Sequence, residues 1–230
     1  FGDANWHSRL EQKTTQSQAA KHSIGKIDFL PAPPHRRRGL NRVAPSQRHA
    51  RSIFEGRQSN DGTGWGTLVH AWFSLIEWLD DGAPTDAELR DAAMRLQDQL
   101  PARLFADMDR NIADFRAIIA RPAIRRQLSR STYADRQPAR VERERTFLVR
   151  QGDELLAGSI DRLVWFSDGA EILDFKTDAV ADPLALEKAV EFHRVQLESY
   201  RDAVALMTQM PESKIAMRLV FTQPGVIVPL

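Results

Sequence analysis

The stretch GSIDRLVWFSDGAEILDFKT, Gly158 to Thr177, constrains the fold more than any other part of the chain. Two apolar runs flank the turn-forming SDG, the pattern of a tight antiparallel hairpin. Each run carries acid where a sheet interior prefers none: Asp161 in the first, Asp174 with Lys176 in the second. Side chains alternate along a strand, so Ile172, Asp174 and Lys176 share one face and Leu173, Phe175 and Thr177 the other. Leu173 and Phe175 supply the hydrophobic side, so the Asp174/Lys176 face is expected to open onto a cleft or solvent. In the preceding strand Asp161 shares its face with Ser159, Leu163 and Trp165, and a tight meander can bring it beside Asp174. Two adjacent carboxylates raise each other's pKa unless a cation intervenes. Lys176 supplies one positive charge, and a divalent metal would supply more. Oxygen donors favour magnesium or manganese over zinc. An exposed Asp–Lys ion pair of little energetic worth gives the same local pattern.

The periods around this hairpin are legible. VERERTFLVR (Val141–Arg150), ELLAGSIDRLVWF (Glu154–Phe166) and AEILDFKT (Ala170–Thr177) read as three strands joined by short turns, an antiparallel meander. Upstream, GTLVHAWFSLIEWLDDG sets Leu68, Trp72, Leu75, Ile76 and Leu79 on one helical stripe, which Gly82 stops. TDAE, Thr85 to Glu88, is a capping-box signature opening a helix toward Leu100, and a third helix is expected from Arg103 to Ala120, before Pro122. Asp182 and Pro183 pair an N-cap with a first-turn proline, opening a long helix toward Met210. KIAMRLVFT then returns as a strand, with GVIVPL as its short partner. A helix between the third and fourth strands permits a parallel crossover. The expected fold is α/β: a central mixed β-sheet, an antiparallel meander plus a crossover strand, flanked by helices and carrying a helical insertion.

Apolar residues make up 42% of the chain, an ordinary value for a soluble globular protein. No apolar run reaches the ~18–20 residues of a membrane span, and no signal-peptide pattern is present. The absence of cysteine excludes disulfides, thiolate zinc sites and an iron–sulfur cluster, and fits a cytoplasmic protein. A net charge of +1 hides an asymmetry: residues 1–60 hold 11 basic and 4 acidic residues (11 − 4 = +7), leaving 21 − 27 = −6 for the remainder. A basic arm on a mildly acidic body suits a polyanionic partner or an acidic docking surface, and a solvated tail has the same composition. LPAPPHRRRGLNRVAPS is rich in proline and arginine without a period, so residues 1–61 read as a basic linker or extension and 62–230 as the domain. The start at Phe1, without methionine, is expected of a fragment of a longer chain.

His70 lies four residues after Gly66 in GTLVH, and Gln196 and Tyr200 stand at i and i+4 of the long helix, on one face. Glu144 lies on the first meander strand. Singly, these are a packed polar group, an amphipathic boundary and an exposed carboxylate. In order, however, GTLVH, GSIDRL, ILDFKT and QLESY resemble the motif series of RecB-type nuclease domains in the PD-(D/E)XK superfamily, from Gly66 to Thr222. RVAPSQRH is similar to the proline–serine stretch that precedes this nuclease in AddA-type helicase–nuclease subunits.

The resemblance implies a restriction-endonuclease-like core in which Asp161, Asp174, His70 and the backbone carbonyl of Phe175 hold Mg²⁺, with Mn²⁺ able to substitute. Lys176 would be the catalytic lysine. Gln196 and Tyr200 would support the site or hold the nucleic-acid strand, and Glu144 matches a family glutamate. Ile160 stands where the usual proline precedes the first aspartate. The implied activity is metal-dependent exonuclease or endonuclease hydrolysis of DNA, leaving a 5′-phosphate and a 3′-hydroxyl. Implied partners are single-stranded DNA ends, the helicase region of a parent chain and a second helicase–nuclease subunit, in double-strand-break processing and recombinational repair. Without cysteine, the branches that bracket this core with an iron–sulfur cluster are excluded, and without GxxxxGK[ST] no nucleotide site is expected here. Two alternatives use the same fold. A non-catalytic DNA-holding scaffold would be expected to have replaced Asp174 or Lys176, and a self-standing restriction-type endonuclease would need a sequence-reading element.

Overall fold

The computed structural model of the chain describes residues 41–45, 60–136 and 139–230. Most of the basic extension therefore lies outside the described residues.

The meander forms as the turn signals require. β2 (Arg140–Gln151) and β3 (Glu154–Trp165) pair antiparallel from Arg140↔Trp165 to Gln151↔Glu154. Gly152 opens their two-residue turn at φ +62°, a conformation that favours glycine. β3 pairs antiparallel with β4 (Ala170–Lys176) from Trp165↔Ala170 to Arg162↔Leu173. The long helix lies between Pro183 and Thr208, with the Asp182 carboxylate accepting from the Ala185 amide at 2.8 Å as its N-cap. It returns the chain to β5 (Ile215–Phe221), which runs parallel to β4, and β6 (Val226–Pro229) closes the sheet antiparallel to β5. A short β1 (Asn41–Val43) pairs parallel with Glu154–Leu156, inside the stretch expected to be linker. Three residues are too few to show a period.

The helical layer consists of α1 (Asn60–Phe73), α2 (Asp86–Met94), α3 (Ala102–Ala106), α4 (Met108–Ala120) and α5 (Pro122–Gln127), with the crossover helix as α6 (Pro183–Thr208). The capping box at Thr85 and Glu88 is formed in both directions. Three boundaries differ from expectation, the first being that α2, expected to run toward Leu100, ends at Met94. The stripe from Leu68 to Leu79 is not one helix: α1 ends at Phe73, and the buried Arg162 guanidinium donates to the Ile76 and Glu77 carbonyls beyond it. The helix expected from Arg103 to Ala120 breaks at Asp107, and Pro122 opens α5 at its first turn.

Helices cover both faces of the sheet. Leu173, Phe175 and Val220 pack with α1, α2, α4 and α5, whereas Ile172, Leu163 and Ile160 pack with Tyr200, Ala203 and Val204 of α6. β4 is consequently buried from Ala170 to Phe175. The Asp174/Lys176 face does not open onto solvent as the alternation suggested, because the crossover helix lies over it; Asp174 is 1% exposed.

Arg162 fastens the exit of α1 to β3, with its guanidinium 5.0 Å from the Trp78 ring centroid. Burial lowers its pKa to about 10, which leaves it charged at neutral pH. Arg162→Met is expected to cost about 2–4 kcal/mol, because the buried Ile76 carbonyl and the partly buried Glu77 carbonyl lose a charged donor. Urea unfolding checks this as a lower midpoint at constant slope.

Candidate functional site

The β3–β4 ladder stops at Arg162↔Leu173, and continuing its register sets Asp161 opposite Asp174. On the other edge of β3 the pairs Arg143↔Arg162 and Arg145↔Ile160 flank Glu144, which has φ +48°. A left-handed φ is uncommon for a residue other than glycine and costs about 1–3 kcal/mol. Asp161 thus stands where regular strand pairing lapses on both sides.

Three side chains converge there. Ligand-capable atoms of His70, Glu144 and Asp161 lie within 4.8 Å of one another. His70 Nδ1 is 3.3 Å from Asp161 Oδ2, and the same oxygen accepts the Phe175 backbone N–H at 2.8 Å. Glu144 accepts from the Ser159 hydroxyl at 3.1 Å. Aromatic packing sets the distance between α1 and β4: the Phe73 and Phe175 rings stack at 4.1 Å and 3°, and the His70 ring meets Phe175 edge-on. Burial opposes a charge on His70, but the Asp161 carboxylate outweighs it and lifts the imidazole to about 9. Burial, reinforced by Asp161, raises Glu144.

Beside this group lies a second one, joined through α6. The Lys176 ammonium is 2.6 Å from Asp174 Oδ2 and donates to Gln196 Oε1 at 2.9 Å. Gln196 in turn donates to the Tyr200 hydroxyl at 2.6 Å. Asp174 Oδ2 is thus paired with the Lys176 ammonium inside the fold. Burial would lower Lys176, but Asp174 overrides it and the ammonium stays charged. Burial pushes Asp174 up, with Lys176 only partly offsetting it. Burial also raises Tyr200, so its hydroxyl is neutral.

The side chains singled out in the sequence therefore come together around Asp161 and the C-terminal end of β4, in two adjoining sets. Asp174 belongs to the lysine set and not to the His70–Glu144–Asp161 cluster. Phe175 contributes its N–H and ring to visible contacts. One neighbouring pair was not singled out: His193 Nε2 lies 3.3 Å from Asp178 Oδ2, and its hydrogen bond lowers the Asp178 pKa. The signal was available, since His193 is one turn before Gln196 and Asp178 two residues after Lys176.

Two carboxylates and one imidazole whose ligand atoms lie within 4.8 Å of one another could hold a hard divalent cation, and the buried Asp174 carboxylate stands beside them. A family model described as the PD-(D/E)XK nuclease superfamily matches residues 44–228. The chain belongs to that superfamily. Membership carries metal-dependent nuclease activity as its implication, and the mixed sheet flanked by helices is consistent with the superfamily's fold. No curated protein matches the chain significantly. Among the described residues, no helix is long and apolar enough to cross a membrane.

Proposed function

We propose that the protein is a Mg²⁺-dependent deoxyribonuclease of the RecB type, with Mn²⁺ able to substitute, acting on single-stranded DNA ends. The observation that carries this is the adjacency of the His70–Glu144–Asp161 cluster to the buried Asp174–Lys176 pair. His70, Asp161 and Asp174, with the Phe175 carbonyl and with Glu144 beside them, would hold the metal. Bound there, the ion would supply Lewis-acid activation of water and of a phosphate oxygen. Lys176 orients the attacking water and offsets charge developing on the phosphoryl oxygens. Gln196 fixes the direction of the ammonium, and Tyr200 fixes Gln196. Water oxygen bonds to phosphorus as the P–O3′ bond breaks and the 3′-oxygen takes a proton, leaving a 5′-phosphate.

The helicase setting belongs to the same proposal. It is supported by the motif order and by the RVAPSQRH stretch, with the motor on the parent chain or a second subunit in the cytoplasm, and a role in break repair. Linear single-stranded DNA is expected to be degraded with Mg²⁺ or Mn²⁺, to survive in EDTA, and to be degraded again on metal return. Cleavage that persists in EDTA, or a wild-type protein that neither cuts nor binds Mn²⁺, would overturn the assignment.

A further inference from the structure

A cavity of about 470 Å³ is lined by Trp65, Asp107, Arg110, Asn111, Arg121 and Gln223, from α1, α4 and the turn after β5. Its volume lies in the range of small-molecule pockets. Two of its walls continue into contacts with the end of β4. Gln223 follows Thr222, whose backbone N–H and hydroxyl donate to the Lys176 carbonyl at 2.8 and 3.0 Å. Trp65 precedes Gly66, which approaches Thr177 so closely that a Cβ would stand 3.1 Å from its hydroxyl. The cavity therefore adjoins the residues that follow the candidate catalytic lysine.

The wall chemistry is specific. Trp65 is a partly exposed indole held edge-on against Trp72 at 6.1 Å. Asn111 is buried, and its amide nitrogen donates to the Leu104 carbonyl at 2.8 Å, leaving the amide oxygen as an acceptor. Arg121 lies along the turn at Gly225, where φ is +70° and a Cβ would come 2.8 Å from Arg121 Cδ. Its buried Nε has no partner among the described residues. A flat aromatic ring beside amide and guanidinium groups matches the needs of a nucleobase, which stacks on its face and hydrogen-bonds at its edge. Asp107 and Asp114 offset Arg110 and Arg121 around the same cavity, so its charge is balanced and does not single out a phosphate.

We propose that this cavity receives one unpaired nucleobase of the DNA strand, stacked on Trp65 and held at its edge by Asn111 and Gln223. The path of that strand rests on the nuclease reading, while occupancy of the pocket does not require cleavage. Paired bases are unavailable to such a pocket, so single-stranded or frayed DNA is the class it takes.

The test is a double-mutant cycle on binding, read by fluorescence anisotropy in EDTA so that no strand is cut. Wild type and Trp65→Leu are each titrated with a base-containing oligonucleotide and with a fully abasic one of equal length. Trp65→Leu keeps an apolar side chain against Trp72 and removes the flat face. Wild type is expected to prefer the base-containing strand, and Trp65→Leu to lose about 5–150-fold of that preference, the worth of one stacked base. Trp65→Phe is expected to restore most of it. An unchanged preference in Trp65→Leu, folded as judged by its unfolding midpoint, overturns the pocket. If the preference depends on Trp65 but wild type does not cut with Mg²⁺, the pocket stands and the nuclease assignment falls. If wild type cuts and the preference ignores Trp65, only the pocket falls.

Discussion

Lys176→Ala is expected to lower kcat on single-stranded DNA by about 10²–10³-fold while Mn²⁺ binding persists. The size follows from the surroundings of the ammonium. Its side chain is only 12% exposed and is directed by Gln196 at 2.9 Å, so it is a preorganised charge and not a mobile surface cation. Removing it takes away stabilisation that grows as negative charge builds on the phosphoryl oxygens, which is where a fixed charge in a dry site acts most strongly. The adjoining cluster of His70, Glu144 and Asp161 does not include the ammonium and keeps its donors. Single-turnover cleavage and a Mn²⁺ titration on the same variant separate the two. Wild-type cleavage by Lys176→Ala would remove the lysine from the chemistry, and loss of metal binding would make it structural.

Asp161→Asn is expected to weaken Mn²⁺ binding by at least about 100-fold, beyond the range seen when only a supporting group is lost. Asp161 has two tasks that the amide separates. One oxygen accepts the Phe175 N–H at 2.8 Å, which an asparagine carbonyl can still do. The negative charge, which holds His70 and would face a metal, is lost. The Asp161→Asn variant is therefore expected to unfold within about 1 kcal/mol of wild type, whereas Asp161→Ala orphans the Phe175 amide and costs about 1–3 kcal/mol more. Calorimetric Mn²⁺ titration with urea unfolding checks both. Tight metal binding by Asp161→Asn would place the ligand set elsewhere.

The strands and the long helix were legible because their periods are clean: the SDG turn, the alternation around Asp174, and the Asp182–Pro183 start all act over a few residues. The residues of the candidate site were picked out through motif order, since each of them is ambiguous alone. Three features were not legible. The segment after α1 is held by Arg162, 86 residues from Ile76 in the chain, and no local pattern encodes that contact. The burial of Asp174 under α6 depends on the crossover, which alternation within one strand cannot reveal. The left-handed Glu144 looks like an ordinary strand residue in VERERTFLVR, because the cause is a lapse in pairing with β3. Local interactions speak in the sequence, while long-range ones must be folded to be seen.

The site draws on both sides of the sheet: His70 comes from α1 on one face, Gln196 and Tyr200 from α6 on the other, with β3 and β4 between. Emerging from the ribosome, a chain that has reached Lys176 holds both aspartates and the lysine, yet the lysine still lacks its Gln196 acceptor twenty residues further on. Such non-local assembly is slow and comes late in folding. On the proposed mechanism the ammonium is aimed only once the crossover helix has docked, so cleavage would require the completed domain.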